Sequence, residues 1–359
     1  MKIFSAMGTK ITGIGSYIPQ GVAKNESFEN NSFFTEDGAK FGHENDVIIE
    51  KFKAITGIAE RRYIKDNLTT SEIASFAAQK AIADAGIDQE TLDYLIVAHN
   101  YGDVKQGTFQ SDTVPSVASR VKHLLKIKNP FCVGYDVLFG CPGWVEGMIQ
   151  AHAFMKAGMA KRCLVIGAEA LSRVIDPHDR DSMIYSDGAG AAVVELTNDN
   201  TTGILAHKSA TYSYDEAHFI HFGESNNQEM TDARKYIKMH GRKIYNFALV
   251  NVPDAMKACL DESGATISDL KKVFIHQANE KMDEAIIKRF YKLYDLDAPE
   301  FVMPMSIDKL GNSSVATVPT LYDLVLQGKL DNHEVSPGDV IMFASVGAGM
   351  NINAIVYKI

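Results

Sequence analysis

Two hydrophobic patterns alternate along the chain, short apolar runs and stretches with helical spacing. Residues 10–17, 92–99, 162–167 and 190–196 form runs typical of buried strands, and helical spacing is clear over 46–55, 70–85 and 116–126. Strands that alternate with helices indicate a mainly parallel sheet covered on both faces. We expect Thr70 or Ser71 to cap the helix over 70–85. The polar segment 25–45 fits neither pattern and predicts an irregular excursion or a cap.

The two halves of the chain resemble one another in three places that occur in the same order. The paired segments are 80–86 with 257–264, Gly140-Cys141 with Gly311-Asn312, and 186–190 with 345–349. Such internal similarity indicates a duplicated structural unit. We predict two copies of one α/β unit, residues 1–200 and 201–359.

A duplication of this kind brings particular side chains together. If the copies pack around a pseudo-twofold axis, their equivalent helix starts meet at the centre, so that Cys141 faces Asn312. The apolar strand over 273–275 would deliver His276 to the same place. Its equivalent in the first copy, His99, is interpreted as structural.

The segment 133–144 carries the first candidate for catalysis. Its pattern predicts a buried strand, a tight turn and a helix that starts with Pro142, since proline suits the first helical position. Cys141 would then lie at or beside the N-cap, where the helix field favours a thiolate. Cysteines so placed have pKa values of about 3.5–7.5. The alternative is an inert core residue, a common role for a free cysteine.

Each remaining candidate also has a structural interpretation. A histidine that ends a strand, such as His276, commonly has a structural role, and Asn312 suits an ordinary helix N-cap. Their predicted convergence with Cys141 favours the catalytic interpretation. The glycines of Gly347-Ala-Gly349 would allow backbone N–H groups to approach a substrate oxygen.

Composition narrows the class of protein. The net charge of −9 argues against nucleic acid as the general partner. The cysteines (Cys132, Cys141, Cys163 and Cys259) show no C-x-x-C spacing, which fits a reducing cytoplasm. Because no apolar run reaches spanning length and the first residues lack a secretory pattern, we expect no membrane association. We also expect no metal and no bound cofactor.

Six motifs in this order resemble the thiolase-fold condensing enzymes, most closely the β-ketoacyl-[acyl-carrier-protein] synthase III family. They are 11–17 (ITGIGSY), 56–61 (TGIAER), 139–141 (FGC), 186–193 (SDGAGAAV), 276–279 (HQAN) and 311–314 (GNSS). The resemblance covers nearly the whole chain. It implies an α/β, five-layer α-β-α-β-α fold and a homodimer. It also implies a catalytic triad of Cys141, His276 and Asn312.

The resemblance further implies a decarboxylating Claisen condensation in fatty acid biosynthesis. Cys141 would carry the acyl group of an acyl-CoA or acyl-carrier-protein donor, and malonyl-acyl carrier protein would be the second substrate. His276 and Asn312 would stabilise the enolate. The backbone N–H groups of Cys141 and of the turn with Gly349 and Met350 would bind the oxyanion.

This sequence departs from the family pattern around its substrates. Residues 50–54 lack the tryptophan that stacks on the CoA adenine, and Lys281 lies near where an arginine helps to hold phosphate. Arg180 keeps another family cation. Val114 and Met350 replace frequent aromatic residues of the acyl pocket. We therefore expect a carrier-bound donor to be acceptable and a longer or branched acyl chain to fit.

Three other functions stay open at this point. A secondary-metabolite condensing enzyme of the alkylresorcinol or polyketide type would use a longer acyl donor. A 3-hydroxy-3-methylglutaryl-CoA synthase would need a catalytic glutamate, for which Glu146 is the candidate. A non-enzymatic partner subunit would only bind acyl groups or another condensing enzyme, which the intact triad disfavours.

Overall fold

The structure is a computed structural model that describes residues 7–231 and 233–359. Its strands are β1 (Gly8–Tyr17), β2 (Gly21–Lys24), β3 (Glu60–Tyr63), β4 (Tyr94–Ala98), β5 (Val133–Val137), β6 (Arg162–Ala170), β7 (Asp187–Thr197), β8 (Gly203–Thr211), β9 (Ile220–Gly223), β10 (Tyr236–Met239), β11 (Leu270–Ile275), β12 (Val340–Gly347) and β13 (Asn351–Lys358). Its α-helices are α1 (Asn45–Thr56), α2 (Thr70–Ala85), α3 (Val117–Leu124), α4 (Gly143–Lys156), α5 (Gly241–Ser263), α6 (Glu280–Lys292), α7 (Ile307–Leu310) and α8 (Thr317–Leu326).

Two central sheets share one topology. The first has the order β1-β7-β6-β4-β5, and the second has the order β11-β12-β13-β8. In each sheet a parallel pair, β4 with β6 or β11 with β12, is followed by two antiparallel pairings. The strands β4, β6, β7 and β1 therefore correspond to β11, β12, β13 and β8. This correspondence confirms the predicted duplication of the α/β unit.

The helices complete five layers. Helices α2 and α3 pack on the outer face of the first sheet, and α5 and α6 pack on the outer face of the second. Helices α4 and α8 lie between the two sheets, where their apolar side chains form one core with both. The order α-β-α-β-α confirms the predicted fold class.

Burial on both faces explains the continuous apolar runs of the central strands. In β4, Leu95 and Val97 face α2 and α3, whereas Ile96 and Ala98 face the middle helical layer. None of the four is accessible to solvent. When both faces of a strand are buried, apolar and polar residues do not alternate along it, as is usual in parallel sheets.

Helix α2 has the predicted bounds but a different cap. Thr69 is the N-cap, and its backbone N–H donates to the Glu72 carboxylate at 2.7 Å in a capping box. The prediction of Thr70 or Ser71 is therefore wrong by one or two residues. The helix ends at Gly86, whose φ of 62° is accessible to glycine at little cost.

Residues 25–45 form the predicted irregular cap. After β2 the chain makes a short 3₁₀ turn, Asn25–Phe28, and then continues without a helix or strand until α1. Phe33 from this segment is buried in a cluster with α1 and with Ile237 of β10. The hairpin of β9 and β10 belongs to the second half of the chain, so segments from both halves cover this side of the molecule.

The predicted boundary near residue 200 falls between β7 and β8, and the division into 1–200 and 201–359 stays a prediction. Within residues 7–231 and 233–359, no helix has both the length and the apolar character needed to cross a membrane.

Trp144 joins the middle layer to both sheets. Its ring packs edge-on against Phe343 of β12 with centroids 5.6 Å apart, and its Nε1 donates to the Val165 carbonyl of β6 at 3.3 Å. We expect Trp144→Ala to lower the free energy of unfolding by about 3–5 kcal/mol, because it leaves a cavity between the sheets. Chemical denaturation followed by circular dichroism measures this change. Tryptophan fluorescence cannot be used, because Trp144 is the only tryptophan and the variant lacks it.

Tyr214→Ala is the control, because Tyr214 is 96% exposed. It should change the free energy of unfolding by no more than about 0.5 kcal/mol. Equal losses in the two variants would contradict the described position of Trp144.

Candidate active site

Cys141 lies in the turn between β5 and α4. Helix α4 begins at Gly143 with Pro142 as its N-cap, and the Pro142 carbonyl accepts from the Glu146 N–H at 2.9 Å. Cys141 is thus beside the N-cap, as predicted, and its side chain is partly buried.

Glycines allow the turn with Cys141 to touch a turn of the second half. A Cβ on Gly140 would lie 2.6 Å from the Ala348 backbone nitrogen, and one on Gly347 would lie 2.5 Å from the Cys141 backbone nitrogen. Gly140 also has a φ of 67°, which disfavours other residues. The contact places the segment after β12 directly against the candidate nucleophile.

His276 directly follows β11 and is held by its own motif. Its backbone N–H donates to the Ala344 carbonyl at 2.9 Å. The next residue, Gln277, is fully buried and donates to the Pro304 carbonyl at 2.7 Å. Asn279 caps α6 by accepting from the Met282 N–H at 3.0 Å. The residues around His276 therefore fix its backbone, and its Nδ1 is buried without a hydrogen-bond partner among the described residues.

Asn312 is a candidate catalytic donor, but it is not the N-cap of a helix, because Ser313 is the N-cap of the 3₁₀ turn Ser314–Ala316 and Ala316 is the N-cap of α8. Its side-chain oxygen accepts from the Ser314 N–H at 2.8 Å, at the start of the turn that leads into α8. Its backbone is paired with Ile184 and Ser186, at 2.8 Å each. Because the amide oxygen is occupied, the amide NH₂ remains as a donor. The side chain thus closes a local turn and remains a candidate catalytic donor.

The three predicted catalytic residues line one cavity of about 60 Å³, which we call the catalytic chamber. The chamber is lined by Asn100, Tyr101, Gly140, Cys141, Leu171, Ile184, Tyr185, Ile220, Ile237, Met239, Ile244, His276, Ala278, Met282, Asn312, Ser314, Val346, Gly347, Ala348 and Met350. None of these side chains is a lysine, an arginine or a carboxylate. The chamber therefore combines apolar walls with a few neutral polar groups.

Burial controls the protonation of both reactive groups. It raises the pKa of the Cys141 thiol to about 11, although the Ser314 hydroxyl acts in the opposite direction. It lowers the pKa of His276 to about 4, so the imidazole is neutral at physiological pH. The prediction of a lowered thiol pKa is wrong, because burial of the sulfur outweighs the hydrogen bonds from Ser314 and from the Cys141 backbone. The resting pair is a neutral thiol and a neutral imidazole.

The predicted oxyanion and acyl-pocket residues have different positions. Met350 is fully buried and lines the chamber, whereas Gly349 is a turn residue with a φ of 76° that does not. Val114 is 86% exposed and does not line the chamber of its own chain. The prediction that Val114 widens the acyl pocket therefore has no support within one chain.

A second cavity of about 300 Å³, the outer cavity, adjoins the chamber and shares Ile184, Met239, Ile244, Ala278 and Met282 with it. Arg180 and Arg242 both line the outer cavity. Arg180 also donates to Asp181 at 2.8 Å and lies over the ring of Phe41. Lys281 is exposed near the start of α6 and does not line this cavity.

Polar residues that were not predicted also line the two cavities. Arg242 lines the outer cavity, and Ser314 and Asn100 contribute side chains to the chamber. Ser314 ends the Gly-Asn-Ser-Ser motif, and Asn100 follows His99, the equivalent of His276. The motif was thus the available signal for Ser314, and position in the duplicated unit was the available signal for Asn100.

Glu146, the candidate for a different reaction, does not line the chamber. Its carboxylate accepts from Ser209 Oγ and from Asn353 Nδ2, both at 2.9 Å. These contacts give Glu146 a structural role between α4 and the second sheet. The structure thus gives no support to the catalytic-glutamate hypothesis.

Family models match the segments that carry these side chains. Residues 135–213, which include Cys141, match 3-oxoacyl-[acyl-carrier-protein (ACP)] synthase III. Residues 260–359, which include His276 and Asn312, match the C-terminal region of 3-oxoacyl-[acyl-carrier-protein (ACP)] synthase III.

Full-length similarity extends this result. The chain is 32% identical over 348 residues to a β-ketoacyl-[acyl-carrier-protein] synthase III of Erythrobacter litoralis, covering 96% of this chain and 97% of the relative. It is 29% identical to β-ketoacyl-[acyl-carrier-protein] synthase III 1 of Bacillus anthracis, covering 98% and 99%. The crystal structure of 3-oxoacyl-[acyl-carrier-protein] synthase III from Aquifex aeolicus superimposes with a TM-score of 0.79 at 29% identity, covering 98% of this chain and all of that one. The chain therefore belongs to the 3-oxoacyl-[acyl-carrier-protein] synthase III family of condensing acyltransferases, as its motifs predicted.

Proposed function

We propose that the protein joins an acyl thioester to a malonyl thioester by decarboxylating Claisen condensation, with malonyl-acyl carrier protein as the acceptor, in fatty acid biosynthesis. The observation that carries this proposal is the meeting of Cys141, His276 and Asn312 in one chamber. Names of relatives over nearly the full length support the substrate class. No bound cofactor takes part in the proposed reaction.

In the first step Cys141 attacks the acyl carbonyl. A bond forms between Sγ and the acyl carbon, the thioester bond breaks, and the donor leaves as a free thiol that takes the cysteine proton. The backbone N–H groups of Cys141 and of the turn with Gly349 and Met350 bind the developing oxyanion. The loss of one such donor commonly costs about 2.7–4 kcal/mol of barrier.

In the second step the malonyl group loses CO₂ and becomes a nucleophile. Neutral His276 and the amide NH₂ of Asn312 donate to the thioester oxygen and stabilise the enolate. The enolate carbon attacks the acyl-Cys141 carbonyl and a carbon–carbon bond forms. The bond between Sγ and the acyl carbon breaks, and Cys141 leaves as a thiolate that takes up a proton from solvent. Because Asn312 donates without titrating and the pKa of His276 is lowered to about 4, these donors keep the same charge across physiological pH.

The size of the chamber supports a short acyl donor. Its volume of about 60 Å³ is room for a few water molecules, since about 10–15 Å³ of such space holds one. An acetyl group needs no more than this, whereas a long chain requires the walls to move. The donor we propose is therefore short, in contrast to the expectation of a longer or branched chain.

The outer cavity suits the arm that carries the substrate. Arg180 and Arg242 would hold a phosphate of coenzyme A or of a carrier-protein phosphopantetheine, because guanidinium groups bind phosphate bidentately. Lys281 lies on the exposed surface, where it would meet the carrier protein rather than the arm.

We propose a homodimer formed through the edge of the first sheet. Strand β5 is one of the two edge strands of this sheet, and within the described residues it pairs only with β4. Val133 in β5 is 47% exposed, and Phe131 and Leu138 on either side of the strand are 83% and 67% exposed. An unpaired apolar edge favours pairing with a second strand.

The proposed compartment is the cytoplasm. All four cysteines are free, and Cys141 must stay reduced to act as a nucleophile. A reducing environment maintains both conditions.

We expect wild-type protein to gain the mass of one acyl group from acetyl or propionyl thioesters and much less from decanoyl or dodecanoyl thioesters. Cys141→Ala should gain none, because the acyl group is carried on Sγ. Intact-protein mass spectrometry after incubation with CoA and carrier-protein donors measures both results. An adduct formed only with long chains would overturn the short-chain proposal, and an equal adduct on Cys141→Ala would overturn the role of Cys141.

His276→Ala and Asn312→Ala should separate the two steps. Each removes a donor to the enolate but leaves the nucleophile, so the acyl adduct on Cys141 should still form. Release of ¹⁴CO₂ from labelled malonyl-carrier protein should fall about 10²–10³-fold in each variant, the usual effect of removing one such donor. Normal CO₂ release in either variant would remove that residue from the mechanism.

Phe131→Glu combined with Leu138→Glu should convert the dimer to monomers, since it places charges on the β5 edge. Analytical ultracentrifugation of both proteins at micromolar concentration measures the mass. Tyr214→Glu, at an exposed site away from this edge, should remain dimeric. A wild-type monomer, or a variant that stays dimeric, would contradict the proposed interface.

A further inference from the structure

A buried carboxylate next to the chamber has no role in the reaction described so far. Glu169 lies in β6 and is inaccessible to solvent. Its Oε2 accepts from the Asn100 backbone N–H at 2.9 Å and from Asn100 Nδ2 at 2.6 Å. Its Oε1 is buried without a partner in the described residues. Burial of a carboxylate is costly, which suggests that Glu169 performs a task.

The contacts of Asn100 continue towards the nucleophile. The same amide nitrogen, Nδ2, also donates to Ser314 Oγ at 3.0 Å, and Ser314 Oγ donates to Cys141 Sγ at 3.3 Å. These bonds form a continuous chain from Glu169 to the sulfur.

The chemistry of the amide gives this chain a single direction. An amide nitrogen carries two hydrogens, one for Glu169 and one for Ser314, and it accepts none. Ser314 must therefore use an oxygen lone pair towards Asn100. Its only hydroxyl hydrogen is then free to point at Cys141. If the amide were reversed, its oxygen would face Glu169 Oε2 and repel it.

We propose that Glu169 is a positioning residue which, through Asn100 and Ser314, keeps a hydroxyl donor directed at the Cys141 sulfur. The donor stabilises the thiolate, both when it attacks the acyl donor and when it leaves after condensation. The inference deepens the proposed function, since it rests on Cys141 being the nucleophile.

Other ionisable groups surround Cys141 and Glu169, the two ends of this series of hydrogen bonds. Cys141 is near Glu169, Tyr101 and Tyr185, and it shares the chamber with neutral His276. The carboxylate charge of Glu169 raises the pKa of Cys141, so it opposes the effect of the directed hydroxyl. A test must therefore separate the charge of Glu169 from its hydrogen bonds.

Glu169 itself faces His99 and Asp187, which act on it in opposite directions. Burial raises its pKa to about 7, so both protonation states occur near neutral pH. A proton on the unpaired Oε1 leaves Oε2 as the acceptor. The hydrogen bonds from Glu169 to Cys141 therefore run in the same direction in both protonation states of Glu169.

The test measures Cys141 without any substrate. The rate of alkylation by iodoacetamide is followed from pH 6 to 11, and mass spectrometry of peptides identifies the modified cysteine. Because the pKa of Cys141 is about 11, the rate below pH 10 is proportional to the thiolate fraction, and the ratio of the rates of two proteins gives the difference between their Cys141 pKa values. Because no condensation is involved, the result is independent of the acyl chain and of the malonyl substrate.

We expect Ser314→Ala and Asn100→Leu each to raise the pKa of Cys141 by about one unit, which is about a tenfold lower thiolate fraction at pH 7. Asn100→Leu in the Ser314→Ala background should cause no further rise, because Asn100 acts only through Ser314. Ser313→Ala is the matched control, since the Ser313 hydroxyl lies 3.2 Å from Thr317 Oγ1 instead.

Two substitutions of Glu169 separate its charge from its position. Glu169→Gln keeps an acceptor for Asn100 and should leave the pKa of Cys141 unchanged or lower. Glu169→Ala should raise it towards the value of Asn100→Leu. The Asn100 and Ser314 variants decide the proposal even if Glu169→Ala does not fold.

The proposal is overturned if the effects of Asn100→Leu and Ser314→Ala are additive, or if neither changes the profile. It is also overturned if Glu169→Gln raises the pKa as much as Glu169→Ala in folded protein. A different failure, in which Cys141 is alkylated normally but never acylated by a thioester, would count against the proposed function and leave this chain of hydrogen bonds intact.

Discussion

Two backbone turns, one from each half of the chain, touch with no side chain between them, and the catalytic chamber depends on that contact. Gly140 and Gly347 leave room for it, because a Cβ at either position would lie under 3 Å from the opposite backbone. The contact brings the start of α4 against the end of β12, close to the start of α8. A cysteine, a histidine and an asparagine from distant parts of the sequence thereby share one small space. The packing of α4 and α8 between the sheets holds the two turns together.

Much of the fold could be predicted because the sequence repeats its own pattern. The bounds of α2, the strand that delivers His276 and the duplicated sheets all follow from local periodicity and internal similarity. The cap over 25–45 could be predicted only as irregular, and the β9–β10 hairpin was not predicted. Both depend on contacts with distant segments, such as that of Phe33 with the cluster around Ile237. Local sequence carries little signal for structure that is stabilised in this way.

The residues of the candidate site also fall into two groups, those that stand in short sequence motifs and those that depend on contacts between distant segments. Cys141, His276 and Asn312 stand in short motifs, and sequence alone identified them. Ser314 and Asn100 were missed because their importance lies in hydrogen bonds between segments more than 200 residues apart. The protonation of Cys141 was wrongly predicted for a related reason. A helix start is visible in a sequence, whereas the enclosure that raises the thiol pKa is a property of the folded chain.

The neutrality of the catalytic chamber has a consequence for the malonyl group. Among the residues that line it there is no lysine or arginine to receive the free carboxylate of that substrate. A carboxylate that enters such a space gives up hydration without gaining a counter-ion. Its departure as uncharged CO₂ moves the negative charge onto the thioester oxygen, where His276 and Asn312 can donate to it. The absence of a cation among the residues that line the chamber thus favours loss of the carboxylate and lowers the barrier to decarboxylation.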